Sequence, residues 1–145
     1  MPAPTDPRII GHWRLVETRA WGDDGAKLPN PYGPIPLGIV TLTAEGRMLA
    51  VLSDGRPDLP PGTRRDYRSY MGAYSFDGTT LRTVVDGADE PAWLGTGQIR
   101  AARFEGGRMI LRPPPRMIEG RMVHRELAWE RLVPDTAATA GKETP

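Results

Sequence analysis

A chain of 145 residues with 19 basic and 18 acidic side chains and no cysteine has the size of one domain, able to bury about 68–70 % of its unfolded surface without a disulfide. A net charge of +1 supplies no long-range field for nucleic acid or an anionic membrane. The lack of thiols excludes a disulfide framework, a thiolate metal site and a cysteine nucleophile. Gly 17 and Pro 16 favour many short strands and turns over helices.

No apolar run approaches the roughly 18 residues of a membrane span, and the first ten residues, MPAPTDPRII, lack the basic and apolar regions of a secretory signal. The expected location is therefore cytoplasmic. Residues 1–9, Pro-rich through Arg8, and residues 134–145, PDTAATAGKETP, read as tails outside a single domain over residues 10–133.

Within that domain, alternation of apolar and polar residues dominates. The first predicted strand, Gly11 to Trp21, is followed by a connection, Gly22 to Pro36 (GDDGAKLPNPYGPIP), whose prolines and glycines are expected to exclude regular pairing. Residues 37–43 and 47–53 form a predicted hairpin around Ala44-Glu45-Gly46, with Gly46 at the left-handed turn position. After a loop at 54–66 come Tyr67 to Phe76 and Thr79 to Val85, which flank Asp77-Gly78, the strongest hairpin signal in the chain. Beyond a third loop, 86–94, residues 97–104 pair through Glu105-Gly106-Gly107 with 108–112. Pro113-Pro114-Pro115 ends that strand because prolines donate nothing to a ladder. Arg121 to Leu132 is the last strand.

About eight strands joined mostly in order predict an all-β, antiparallel, up-and-down β-barrel. First and last strands both carry an alternating Trp, and closure would set Trp13 beside Arg131. The long loops would gather at one mouth and the tight turns at a sealed base, leaving an interior able to hold one small molecule.

A family resemblance rests on motifs in this order. Gly11-His12-Trp13 matches the opening G-x-W of lipocalins, and Trp129-Glu130-Arg131 supplies the arginine that lies across that tryptophan. Between them lie Gly33-Pro34, Pro36 and Gly38, then Gly46-Arg47-Met48, then Tyr70, Gly72 and Tyr74 leading to Asp77-Gly78, and Pro91, Trp93 and Gly95. Taken together, residues 10–133 resemble the small bacterial and fungal lipocalin-like domain proteins of the calycin superfamily. The resemblance implies a barrel that binds a hydrophobic small molecule, with a few relatives acting as isomerases or cyclases. Where such domains often carry His after D-G, this chain has Arg82.

The candidate site follows from parity. With Trp13 and Arg131 inward, plain alternation puts Leu15, Glu17 and Arg19 on the inner face of the first strand, and Val123, Arg125, Leu127 and Trp129 on that of the last. Glu17 would fall opposite Leu127 and diagonal to Arg125, giving an acid and a base in one cavity. They would serve as catalytic or anchoring residues, Arg125 gripping a carboxylate or enolate and Glu17 acting as acid or base. A structural ion pair, or a one-residue slip that sends both to solvent, are the alternatives. Trp13 with Arg131 reads as a cation–π lid over the base.

Tyr70 and Tyr74 share a face opposite to that of Tyr67 and could present phenols to a ligand or pack across strands. Trp93, Tyr32 and Trp21 lie in or beside mouth loops, as ligand caps or as packing plugs. Arg103, Leu127 and Trp129 complete the candidate ligand contacts. His12 and His124 face outward with no carboxylates at metal-ligand spacing, so no metal and no cofactor are expected; His124 could bind haem only if the parity of the last strand were reversed. Arg64, Arg65 and Arg68 read as a solvated loop face, and no G-x-S-x-G or phosphate loop is present.

Three functions fit: a binding protein for a small, largely hydrophobic molecule; an isomerase, cyclase or lyase using the same cavity for acid–base chemistry; or an interaction module. The expected partner is a small hydrophobic ligand or substrate, with neither nucleic acid nor membrane, and self-association as a homodimer stays open.

Overall fold

In a computed structural model that describes residues 4–132, ten antiparallel strands form one sheet. They are β1 (Gly11–Gly22), β2 (Lys27–Leu28), β3 (Pro36–Leu42), β4 (Arg47–Asp54), β5 (Tyr67–Phe76), β6 (Thr80–Ala88), β7 (Gly97–Glu105), β8 (Arg108–Arg112), β9 (Arg116–Ile118) and β10 (Arg121–Arg131). The spatial order is β2-β1-β3-β4-β5-β6-β7-β8-β10-β9, and β1 also pairs with β10. Eight strands thus close an up-and-down barrel, and closure satisfies the edges that an open sheet would expose. The closing ladder runs from Trp13↔Arg131 to Gly22↔Val123. No helix among the described residues is long and apolar enough to cross a membrane.

Glycine or asparagine-like turn chemistry sets the base. The β3–β4 turn places Gly46 at a φ of 91°, and in the β5–β6 turn Gly78 takes 106° while Asp77 accepts from the amides of Thr79 and Thr80. Both conformations lie where a side chain is strained. The mouth collects the four longer connections. Two of them contribute the short extra strands: β2 pairs with Ala20 and Trp21 of β1, and β9 pairs with residues 121–123 of β10. The Gly22-to-Pro36 connection, expected to lack regular pairing, therefore holds one two-residue ladder.

The expected N-terminal tail is a base plug from Thr5 onward. Thr5 donates its amide to the Phe76 carbonyl, and residues Pro7–Ile9 form a 3₁₀ turn capped by Asp6. Ile9 is completely buried in the core. Its carbonyl accepts from the Trp13 indole N–H at 3.0 Å. Beside it Trp13 packs on Phe104, which meets Phe76 edge-on, while Arg131 lies 4.2 Å over the Trp13 ring. The expected residue 134–145 tail lies outside the described residues.

Two bulges break the alternation. In β1 the register passes from Leu15↔Trp129 to Glu17↔Ala128, so Val16 is an extra residue; in β6 the same happens at Asp86. An extra residue bends the strand and switches the face of everything after it. The aromatic core fills the base half of the barrel and leaves the mouth half hollow.

Candidate functional site: the barrel cup

The hollow half is a cup of about 930 Å³. Its floor and lower wall are apolar, made by Val40, Met48, Ala50, Leu52, Leu111 and Trp129. These positions are the inward members of β3, β4, β8 and β10, buried because period-two alternation aims them at the barrel axis. Higher up the wall turns aromatic. Tyr70 of β5 meets Trp93 edge-on at 5.1 Å, and Trp93 is carried on a 3₁₀ turn, Pro91–Trp93, after β6. Tyr32 enters from the long β1–β3 connection at a positive φ of 64°. That loop is tied down by Thr18, whose hydroxyl donates to the Pro31 carbonyl at 2.6 Å. Burial raises the pKa values of both Tyr32 and Tyr70, so each stays a neutral phenol.

Against this wall stands a set of cations. Arg68, Arg100, Arg116, Arg121 and Arg125 line the cup, with only Asp66 and Glu119 as carboxylates among its lining. Arg68 is engaged, stacking 4.3 Å over Trp93 and pairing with Asp89 at 3.2 Å. Among the described residues the other four make no ion pair. Arg125 is half-buried, and its Nε has no hydrogen-bond partner; the indole N–H of Trp129, four residues on along the same inner face, has none either. Burial, followed by the positive charges of Arg116 and Arg100, lowers the pKa of Arg125. It remains a cation at neutral pH, since arginine starts so high.

Among the predicted site residues, Arg125, Tyr32, Tyr70, Trp93, Leu127 and Trp129 all line the cup. Three do not. Glu17 lies on the outer surface with its side chain 61 % exposed, 3.7 Å from Arg108. The Val16 bulge is the reason, because it inverts the parity on which the inward placement depended, and Arg19 turns outward with it. In their place Thr18, Ala20 and Gly22 face the interior. Tyr74 does share the inward face of Tyr70, but it sits in the filled base, completely buried, donating its hydroxyl to the Thr43 carbonyl at 2.6 Å. Burial, with some help from Glu45, pushes its pKa up to about 12.

Arg103 faces outward. Its guanidinium holds Glu126 at 2.6 Å, with Arg19 on the other side of the same carboxylate and Glu105 at 2.8 Å. This cluster lines a shallow outer depression and ties β1, β10 and β7 together across the barrel exterior.

Other expectations are corrected too. Trp21 does not line the cup; it lies on the outer face, stacked on His124, with Arg19 and Arg112 against its ring. Arg68 is part of the cup wall instead of a solvated loop face, whereas Arg65 donates to the Asp54 and Arg56 carbonyls. Both histidines face outward as expected, His12 on Thr41 and His124 on Asp23. Arg82 is exposed on the outer face of β6.

Sequence reasoning missed Arg100, Arg116, Arg121 and Gln98. For Arg100 a signal existed: Phe104 is apolar at i+4 on the same face, which assigns Arg100 inward and Arg103 outward. For Arg121 a signal existed too, since period two from Val123 and Arg125 assigns it inward; for Arg116 no local signal exists, because β9 is three residues long and is defined only by its pairing.

Comparison with curated proteins gave no match, and comparison with solved structures gave none. A family model described as a lipocalin-like domain matches residues 10–66 and 61–132, which together span the whole barrel. With the motif order, the closed eight-stranded barrel and the family match in agreement, this chain belongs to the lipocalin-like domain family.

Proposed function

We propose that the protein is a binding protein whose cup takes up a small, largely apolar molecule carrying an acidic group, the apolar body on the floor and the acid against Arg125. One observation carries the reading: Arg125 and Trp129 line a cup with an apolar floor, and two of their buried donors, Arg125 Nε and Trp129 Nε1, have no hydrogen-bond partner among the described residues. A buried donor left unsatisfied costs about 1–3 kcal/mol, more when charged, so an acceptor arriving there gains what the empty site forgoes. The floor adds the hydrophobic term, about 25 cal/mol for each Å² of apolar ligand surface removed from water. Cavities of this size and composition are typical of small-molecule sites.

The enzymatic alternative, an isomerase, cyclase or lyase, needs a base beside the bound molecule. Glu17, the base that reading would use, lies outside the barrel, and the cup phenols are held neutral; this favours binding over turnover, although Asp66 and Glu119 are carboxylates of the cup lining.

Tryptophan fluorescence tests the proposal, since Trp93 and Trp129 line the cup. Titration with fatty, polyketide and terpenoid acids is expected to give saturable quenching. Arg125→Leu should weaken the acids about tenfold while neutral analogues bind at least as well, and Glu17→Gln should leave the curves unchanged. A panel with no saturable response would remove the proposal.

A further inference from the structure

The arginines of the cup are not scattered. β8 stops at Arg112, and the next residue, Pro113, is buried and has no N–H for either neighbour. The registers Ala101↔Arg112 and Leu127↔Leu111, continued past the end of β8, set Pro113 between Arg100 on β7 and Arg125 on β10. Both arginines occupy inward positions, shared with Phe104 and Trp129 respectively. Their backbones are two strand spacings apart, about 10 Å, which two arginine side chains can span to meet on one group. Arg116 joins them from β9, paired with Val123, two residues from Arg125 along the same face.

We infer that Arg100 and Arg125 form a clamp across Pro113, with Arg116 behind it, and that the ligand head group it takes is a dianion: a phosphate monoester or a pair of adjacent carboxylates on an apolar body. The inference rests on the cup being a ligand site, and it adds the charge and valence of the ligand. Among the described residues Arg100 meets neutral acceptors, the Ile99 carbonyl at 2.9 Å, the Gln98 side chain at 3.5 Å and the Tyr70 hydroxyl. Arg116 and Arg125 have no carboxylate partner among the described residues. Like charges gathered around one hollow, Arg100 and Arg125 half-buried and Arg116 exposed beside them, repel one another, and an anion between them removes the repulsion. A single carboxylate has two oxygens, enough to fill one guanidinium fork. Two guanidinium groups brought to one ligand head call for three or more acceptor oxygens and a second negative charge.

Calorimetric titration of the full chain at pH 8 with one apolar body and four heads decides the matter: 2-naphthalenemethanol, 2-naphthoate, 2-naphthyl phosphate and naphthalene-2,3-dicarboxylate. The expected order is dianion over monoanion over alcohol, with about a tenfold step for each added charge-assisted contact, and with the steeper loss in 0.5 M salt for the dianions. The two dianions distinguish phosphate from paired carboxylates. Arg100→Gln should bring the better dianion down to the level of the monoanion, and Arg100→Lys should restore part of the difference; melting curves verify that both variants fold. Equal affinity of dianion and monoanion, or a ratio unchanged in Arg100→Gln, would overturn the clamp while leaving the cup a ligand site. Absence of binding for all four compounds would remove both.

Discussion

Single side chains differ in what they hold. Arg131 does three things at the base: it covers the Trp13 ring at 4.2 Å, donates to the Ile10 carbonyl at 2.8 Å and donates to the Arg8 carbonyl. It therefore joins the last strand to the segment that plugs the barrel. A cation–π contact is worth about 0.5–2 kcal/mol, and a hydrogen bond from a charged donor about 1.5–3 kcal/mol before solvent discounts it. Arg131→Ala should cost about 2 kcal/mol and lower Tm by about 4–8 °C in a chain of this length, with ligand preference unaltered because Arg131 is at the opposite end from the cup. An unchanged Tm would show that the base is held by the buried apolar residues alone. Arg125 is the contrasting case, a cation that packs against the cup wall and ties nothing together.

At the scale of elements, the bulges decide which face a residue serves. Leu15 and Trp129 face each other, Val16 is skipped, and from Glu17 onward polar and apolar positions exchange sides. The Asp86 bulge has a steric counterpart. A Cβ on Gly72, opposite it in β5, would lie 2.0 Å from the Val84 carbonyl oxygen. The strands approach too closely there for any side chain, so Gly72→Ala should force β5 and β6 apart. Overpacking of this kind costs about 1–3 kcal/mol, occasionally more. Thermal melting checks it, and a variant as stable as the parent would mean the sheet yields locally at no cost.

For the whole molecule, charge is divided between exterior and interior. Outside, Glu126 is shared by Arg19 and Arg103, and Asp86 is held by both Arg47 nitrogens at 2.6 and 2.9 Å. Burial alone would raise the pKa of Glu126, yet the two guanidinium groups outweigh it and the net shift is downward. Asp6, Asp54, Asp77 and Asp86 are lowered as well, by hydrogen bonds to Arg8, Arg56, the Thr79 amide and Arg47 respectively. A carboxyl whose folded pKa is depressed binds fewer protons than in the unfolded chain. Its contribution is complete above the ordinary carboxylate range near pH 4 and disappears as pH falls through the folded values. Tm should accordingly be flat above about pH 5 and fall below about pH 4. Glu126→Gln should lower the plateau and make the acid limb shallower. An acid limb of unchanged slope would remove Glu126 from the account.

How much of this was legible in the chain follows from where each feature is encoded. Alternation, the D-G turn, the Gly-bearing turns and the triproline stop are local, so the eight barrel strands, their order and their closure through Trp13 and Arg131 could be read directly from residues. The inward placement of Arg125 was equally legible, because β10 runs without a bulge from Trp129 to Arg125. The outward turn of Glu17 was not, since Val16 is an ordinary strand residue and nothing in its neighbours marks it as extra. Ile9 reads as part of a tail because its burial depends on a barrel base formed by strands far along the chain.

By itself, then, the sequence determined an all-β closed barrel with a sealed base and an open cup. Only the tertiary structure decided which charges line that cup. Strand periodicity is a property of neighbouring residues, whereas the face a residue presents after a bulge, and the register that brings Arg100, Arg116 and Arg125 to one cup, are set by hydrogen-bonded partners far away in sequence.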